Sequence, residues 1–134
     1  MILKGVKDKI DVKVTAEIET DNGRTIQVPF MATFKKLNSE DRALARLRFF
    51  GENDDDDNVI KEALSTEDLM DEYLLGWSNV PTETGEPFEY TPENLAEMLS
   101  APEYADALYR GAYCAAFGKA ALKKILSILG RSGR

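Results

Sequence analysis

The sequence contains no histidine and a single cysteine, Cys114. Histidine is the commonest general base and the commonest ligand of transition metals, so its absence removes most catalytic schemes and most metal sites. One cysteine cannot close a disulfide within the chain, and a zinc site would need a shell made of carboxylates alone. Because Cys114 lies in an alanine-rich stretch with no base beside it in sequence, we interpret it as a buried structural thiol and not as a nucleophile.

Glycines occur singly, which excludes the glycine-rich loops that hold nucleotide phosphates. The aspartate run offers a weak calcium pattern, with Asp54, Asp56 and Asn58 at the spacing of the first ligands of an EF-hand loop. The pattern fails further on, because Val59 stands where the loop requires glycine and Ser65 where it requires a glutamate. We therefore expect a protein that is not an enzyme, with no catalytic residue, no metal and no cofactor.

Long apolar runs and an excess of positive charge are also missing. No apolar stretch approaches the roughly 20 residues needed to span a bilayer, and no secretory leader precedes the first polar residues. With 24 acidic against 17 basic residues, the net charge of -7 disfavours attachment to nucleic-acid phosphates or anionic lipid. We expect a cytoplasmic protein with neither nucleic acid nor membrane as a partner.

The charges are distributed unevenly along the chain. Glu52 to Glu72 holds ten carboxylates and one lysine, whereas the charged residues after Asp106 are all basic. This asymmetry could support head-to-tail self-association or capture of a charged partner, and it is more often typical of two solvated faces. The pattern alone leaves these alternatives open.

Two stretches of strict alternation predict an antiparallel β-hairpin. Apolar residues take every second position from Ile10 to Ile18 and again from Ile26 to Phe34, which is typical of strands with one buried face. The turn signal Asp21-Asn22-Gly23 lies between them. Pro29 has no amide donor, so we expect the second strand to lie at an edge or to bulge there.

The first helix signal follows the hairpin. Asn38 is a suitable cap, and acidic residues follow it in the first turn. Leu44, Leu47 and Phe50 share the spacing of one helical side, and we expect that side to lie across the apolar face of the hairpin. Gly51 would end the helix.

More helices are predicted beyond the acidic run. A short helical turn over 59–64 precedes a helix that Ser65 caps and that Gly76 ends. The stretch from Trp77 to Tyr90 contains two prolines and a glycine, so we expect an irregular loop anchored by its apolar side chains. Thr91-Pro92 then places a cap and a first-turn proline at the start of another helix.

The C-terminal region is compatible with helix from Glu103 to Leu129, with Gly111 and Gly118 as weak points. Its repeated small residues permit close helix contact, either inside the fold or with a second copy. These residues are Ala112, Ala115, Ala116, Ala120 and Ala121.

Together these elements predict one α+β domain spanning residues 1–134. Its N-terminal antiparallel β-hairpin over 1–37 would pack on a mainly helical remainder over 38–134, with about four to six helices and an acidic loop over 51–58. We expect self-association through the helical part. The residues expected to contact a partner protein lie in the aromatic loop and the alanine-rich helix: Trp77, Val80, Phe88, Tyr90, Tyr109 and Tyr113.

One part of the chain resembles a known family. Leu74-Leu75-Gly76-Trp77-Ser78-Asn79-Val80, followed by Gly85-Glu86-Pro87-Phe88-Glu89-Tyr90-Thr91-Pro92-Glu93-Asn94-Leu95, is similar to tail assembly chaperones of long-tailed bacteriophages. In that family a Trp-x-x-Val precedes an acidic loop, a Gly-Glu-Pro and a capped helix. Phe34-Lys35-Lys36-Leu37 also resembles the family's transition from strand to helix, so the likeness spans Phe34 to Leu99.

The resemblance implies a chaperone that binds the tape measure protein and helps recruit tail tube protein, and that is absent from the finished virion. Two other functions stay open. One is a structural virion protein that completes the tail or connects head to tail. The other is an acidic DNA mimic that occupies a nucleic-acid-binding host protein, as the run from Asp54 to Asp57 suggests.

Overall fold

The computed structural model describes residues 8–53, 59–61, 63–121 and 123. Within these residues the chain has an α+β arrangement, as predicted. The elements are β1 (Lys9–Glu19), β2 (Thr25–Lys35), α1 (Ser39–Phe50), β3 (Glu52–Asn53), β4 (Val59–Lys61), α2 (Thr66–Tyr73), β5 (Leu74–Ser78), α3 (Pro92–Leu99) and α4 (Pro102–Phe117). No helix in the described residues is long and apolar enough to cross a membrane.

The predicted hairpin is confirmed as β1 and β2. The strands pair antiparallel along their whole length, from Lys9 opposite Lys35 to Glu19 opposite Thr25. Gly23 adopts a positive φ of 77° at the turn, a conformation that glycine reaches without steric cost. The inward side chains of the alternating pattern are buried at Val12, Val14, Ala16, Phe30, Ala32 and Phe34.

β5 is a third strand that the sequence analysis did not predict. It pairs antiparallel with β2 and gives the sheet the order β1-β2-β5. The predicted α2 therefore ends at Tyr73, before Gly76, and Trp77 belongs to a strand and not to the loop. The five residues of β5 are too few to establish an alternating pattern, which is why they were assigned to the end of a helix.

β2 is the central strand of the sheet, and the bulge expected at Pro29 is absent, but β2 is locally an edge at Pro29, as the alternative expectation had it. Pro29 pairs with Thr15 in an unbroken register with β1. β5 pairs only with residues from Met31 to Phe34, so this part of β2 has a ladder with β1 alone. A proline is tolerated where only one side of a strand must be satisfied.

Side-chain caps fix the starts of three helices where the sequence predicted them. The side chain of Asn38 accepts a hydrogen bond from the Asp41 amide at 2.8 Å, Ser65 accepts from Asp68 at 3.1 Å, and Thr91 accepts from Asn94 at 3.0 Å. Each bond satisfies an amide that has no partner inside its helix.

The region after α1 differs from the prediction. Gly51 ends α1, but Glu52–Asn53 and Val59–Lys61 form a short antiparallel pair of strands. The helical turn expected over 59–64 is therefore wrong, because the backbone of 59–61 pairs as a strand with Glu52–Asn53. Residues 54–58, with the calcium-like pattern and the four consecutive aspartates, lie outside the described residues.

α4 covers the inner face of the sheet, so the expectation that α1 lies there is wrong. Gly111 lies on the side of α4 that faces Val14 and Phe34. The ring of Tyr104, in the first turns of α4, lies 6.0 Å from the ring of Phe30. The helix runs unbroken through Gly111 and ends at Phe117. Gly118 is not helical, and helical backbone resumes at 119–121. The predicted helix beyond 123 lies outside the described residues.

The other helices pack around α4. α1, α2 and α3 all contact it, and the core continues from the sheet into this helical layer. The small residues of α4 act within the fold, since Ala112 and Ala116 are buried. The position of α4 between sheet and helices explains its high content of small side chains, which allow close approach on several sides.

Candidate functional site

Trp77 fastens the irregular loop to the sheet. Its indole N–H donates a hydrogen bond to the Phe88 carbonyl at 2.7 Å. Its ring stacks on the ring of Phe88 with centroids 5.7 Å apart, and Tyr90 meets it edge-on at 4.9 Å. The half-buried Trp77 therefore contacts the end of the loop that leads into α3. These contacts give Trp77 a structural role in the chain.

Two more of the expected partner residues border the same loop. Tyr90 is 38% exposed, and its hydroxyl donates to the Leu74 carbonyl at 3.3 Å. Burial, and then the negative charge of Asp71, raises the pKa of Tyr90. Val80 is half-buried and lines a cleft of about 250 Å³ with Phe88 and other apolar side chains of the loop, α3 and α4. Of the four expected loop residues, Tyr90 is the most accessible.

Tyr109 and Tyr113 belong to an aromatic cluster around Phe49. Their ring centroids lie 5.6 Å and 6.0 Å from that of Phe49, which is itself 4% exposed. Tyr113 is buried and Tyr109 is half-buried. Burial, and then the neighbouring Tyr113, raises the pKa of Tyr109. The structure thus places the six expected partner residues in two groups, one at the loop and one inside this cluster.

An exposed apolar face of α1 went unrecognised in the sequence analysis. Leu44, Leu47 and Phe50 are 40%, 36% and 54% exposed, whereas the buried residues of the helix are Ala45 and Phe49. We call the three exposed residues the α1 stripe. The expectation that these residues form the buried side of α1 is wrong. α1 is apolar on two sides, so helical spacing alone could not select the inward one.

The α1 stripe is continuous with the aromatic cluster. The ring of Phe50 stacks on Phe117 with centroids 6.0 Å apart and planes 26° from parallel. It also meets Tyr113 edge-on at 6.0 Å. Phe50 is therefore held in position although more than half of it is exposed, and such a side chain needs little ordering when it is buried by a partner.

Polar contacts on the other sides of α1 fix its orientation. The Arg42 Nε–H donates to the Ala116 carbonyl at 3.0 Å. Arg48 forms an ion pair with Glu72 at 2.9 Å and donates to the Tyr73 hydroxyl at 3.1 Å. The hydrogen bond that Arg48 donates to the Tyr73 hydroxyl, reinforced by the charge of Glu72, raises the pKa of the Arg48 guanidinium. α1 is tied to both α4 and α2, and the α1 stripe faces outward.

The described residues contain no group of three or more cysteine, aspartate or glutamate side chains that could hold a metal ion. They also contain no buried polar side chain that lacks a hydrogen-bond partner. The chain matches no family model, no curated protein and no solved structure.

Proposed function

We propose that the chain is a tail assembly chaperone of a long-tailed bacteriophage. It binds the tape measure protein, assists assembly of the tail tube and is absent from the mature virion. The proposal comes from the resemblance of the segment from Leu74 to Leu95 to that family. Of the observations on the molecule, the α1 stripe supports it most.

The α1 stripe has the chemistry that a holder of helical segments needs. Contiguous exposed apolar side chains on a monomer are typical of protein-binding surfaces. Leu44, Leu47 and Phe50 follow one another along a single helix face, the arrangement that packs against a second helix by interlocking side chains. A long and largely helical tape measure protein presents apolar faces of this kind.

The surroundings of the α1 stripe favour binding without loss of the fold. The buried side of α1 packs through Ala45 and Phe49, and its arginines bind α2 and α4. A partner can therefore cover the α1 stripe while every described contact within the chain is kept.

A pull-down from cells that express the neighbouring phage genes tests this function. The unaltered chain should retain the tape measure protein or the tube protein. The double variant Leu44→Gln/Leu47→Gln should retain about tenfold less, the effect of losing roughly 1.4 kcal/mol of apolar burial. Glutamine is a good helix former, so α1 should persist.

The matched control is the double variant Glu40→Gln/Arg46→Gln, which changes two exposed polar residues of the same helix. It should retain the partner as the unaltered chain does. Failure of the unaltered chain to retain either phage protein would overturn the proposed function. An equal loss of partner retention in both double variants would show that the α1 stripe is not the binding surface.

Mass spectrometry of purified virions separates the chaperone from a structural virion protein. A chaperone should be absent from the particles. Presence in stoichiometric amount would replace the proposal with a tail-completion or head-to-tail connector role.

Neutralising Asp54 to Asp57 to asparagine separates the chaperone from an acidic DNA mimic. Those residues lie outside the described part of the chain, and a chaperone that uses the α1 stripe should keep its partner without their charge. Loss of binding to a nucleic-acid-binding host protein after this change would favour the mimic.

A further inference from the structure

A groove of about 300 Å³ runs along the outer edge of β1. Val12, Lys13, Val14 and Thr15 all line it, one after another. Neighbouring side chains of a strand point to opposite faces of the sheet, so a cavity on one face would meet only every second residue. A groove lined by four consecutive residues follows the edge of the strand itself.

The edge of β1 is open within the described residues. β1 pairs with β2 on one side only, and it is the first strand in the order β1-β2-β5. It runs for 11 residues from Lys9 to Glu19. Alternate amide and carbonyl groups of such an edge are available to an added strand. β1 is a long template for pairing with an extended polypeptide.

The far wall of the groove is α4 and the helical turn after it. Ala107 and Gly111 of α4 line the groove with Val12 and Val14 and form an apolar floor whose four residues are already closely packed and buried. Cys114 lies further along the same side of α4 and is half-buried. An extended chain in the groove would lay every second side chain over this floor.

The charged residues around the groove are mainly basic. Lys13, Arg110, Lys119 and Lys123 line it, against the single carboxylate of Glu17. Arg110 is already paired with Asp106 at 2.9 Å, so the three lysines supply the positive field. A basic cluster on a chain of net charge -7 gives the groove a local charge opposite to that of the chain as a whole.

We propose that the groove binds an acidic extended segment of a partner protein, which adds to the sheet as a strand beside β1. Main-chain hydrogen bonds to the open edge would supply affinity, as in other strand additions. Alternate apolar side chains would lie on the floor, and the carboxylates between them would meet the lysines. This surface is separate from the α1 stripe, so the inference does not depend on the proposed function.

The chemistry of the groove favours an acidic peptide over other occupants. A nucleic acid would meet the lysines but has no main-chain donors for the β1 edge and no apolar side chains for the floor. Two-fold pairing with a second copy of β1 would place the groove lysines of both copies close together. Their positive charges would then repel each other. An acidic strand satisfies edge, floor and charge together.

Alkylation of Cys114 reports occupancy, because it is the only cysteine of the chain and it lines the groove. The probe is a synthetic peptide in which aspartates alternate with valines. At saturating peptide, the alkylation rate of the unaltered full chain should fall about tenfold, since bound peptide covers the thiol. The same peptide with lysines for aspartates, or with alternate amides N-methylated, should give no protection.

Two further measurements test the charge. The double variant Lys119→Glu/Lys123→Glu should bind the acidic peptide about tenfold more weakly, as loss of roughly two ion pairs implies. Arg24→Glu/Lys36→Glu changes the net charge equally at exposed positions away from the groove and should bind as the unaltered chain does. Circular dichroism checks that both variants fold, and raised salt should weaken binding to the unaltered chain.

Several results would overturn the proposal. Absence of protection by the acidic peptide, or equal protection by the lysine peptide, would remove the acidic strand as occupant. Protection that grows with the concentration of the chain alone would identify a second copy in the groove. Stronger protection by a single-stranded oligonucleotide than by the peptide would identify a nucleic-acid site. Unchanged binding of the acidic peptide by Lys119→Glu/Lys123→Glu would show that the groove lysines do not recognise the peptide's carboxylates.

Discussion

Gly111 sets how closely α4 approaches the hairpin. A methyl group at this position would lie 2.5 Å from Val14 Cγ1 and 3.1 Å from Phe34 Cε2. Side chains do not approach so closely, so either the helix or the sheet would have to move. From the sequence alone Gly111 is expected to weaken the helix, whereas in the structure it is a point of close packing.

Replacing Gly111 by alanine should therefore destabilise the protein. The overpacking cost of roughly 1–3 kcal/mol exceeds the gain of about 1 kcal/mol in helix propensity. Urea unfolding followed by circular dichroism measures the difference. Gly76→Ala is the matched control, because nothing lies within 4 Å of the added methyl. A Gly111→Ala variant as stable as the unaltered chain would show that α4 packs less closely than described.

At the scale of elements, the loop after β5 depends on Trp77. The hydrogen bond from its indole to Phe88 is the shorter of the two aromatic anchors of the loop, at 2.7 Å against 3.3 Å for Tyr90 and Leu74. Trp77→Phe keeps an aromatic ring but leaves the Phe88 carbonyl without this donor. We expect a loss of about 1 kcal/mol in the free energy of unfolding and faster proteolysis within 79–91.

Tyr90→Phe is the comparison for Trp77→Phe. It removes only the longer bond, so its loss of stability should be smaller. Limited proteolysis with mass spectrometry of the fragments, together with urea unfolding, measures both variants. A larger effect for Tyr90→Phe would contradict the role given to Trp77.

Local signals predicted the elements whose information lies within a few residues. Strict alternation and a turn signal identified the hairpin, and cap residues at Asn38, Ser65 and Thr91 identified three helix starts. β5 could not be recognised, because its strand character comes from pairing with β2, far away in sequence. Tertiary pairing decides the structure of such short segments.

The candidate surfaces were less predictable than the fold. The α1 stripe was assigned to the core because the expected cover of the sheet was α1, whereas α4 takes that place through Gly111 and its alanines. Which of two apolar sides faces inward depends on the neighbour that competes for the sheet. The groove beside β1 combines a strand edge with lysines more than 100 residues away, a relation that spacing along the chain does not contain.

At the scale of the whole molecule, three tyrosines make the free energy of unfolding depend on pH in the alkaline range. Burial raises the pKa of Tyr90, Tyr104 and Tyr109, with smaller contributions from Asp71, Glu103 and Tyr113 respectively. A raised pKa means that the folded state holds the phenolic proton more tightly than the unfolded chain. The resulting stabilisation is complete below the unfolded pKa of about 10 and is lost as pH rises through the folded values.

The free energy of unfolding should therefore fall as the pH rises above about 10. Urea unfolding at a series of alkaline pH values measures the fall, and the ultraviolet absorbance of tyrosinate follows the titration itself. Tyr109→Phe should make the dependence shallower by removing one of the groups. Tyrosinate formation at the pH of free tyrosine, with no change in stability, would contradict the burial described for these side chains.

The pairing of β2 with β5 also determines the order in which the molecule can be completed. The hairpin is local and can form as soon as Lys35 has left the ribosome, but its partner strand is made only after α1 and α2. Contacts between distant segments form late, because a long loop must close first. During synthesis the hairpin therefore has both edges open, and the sheet gains its third strand only when Ser78 emerges.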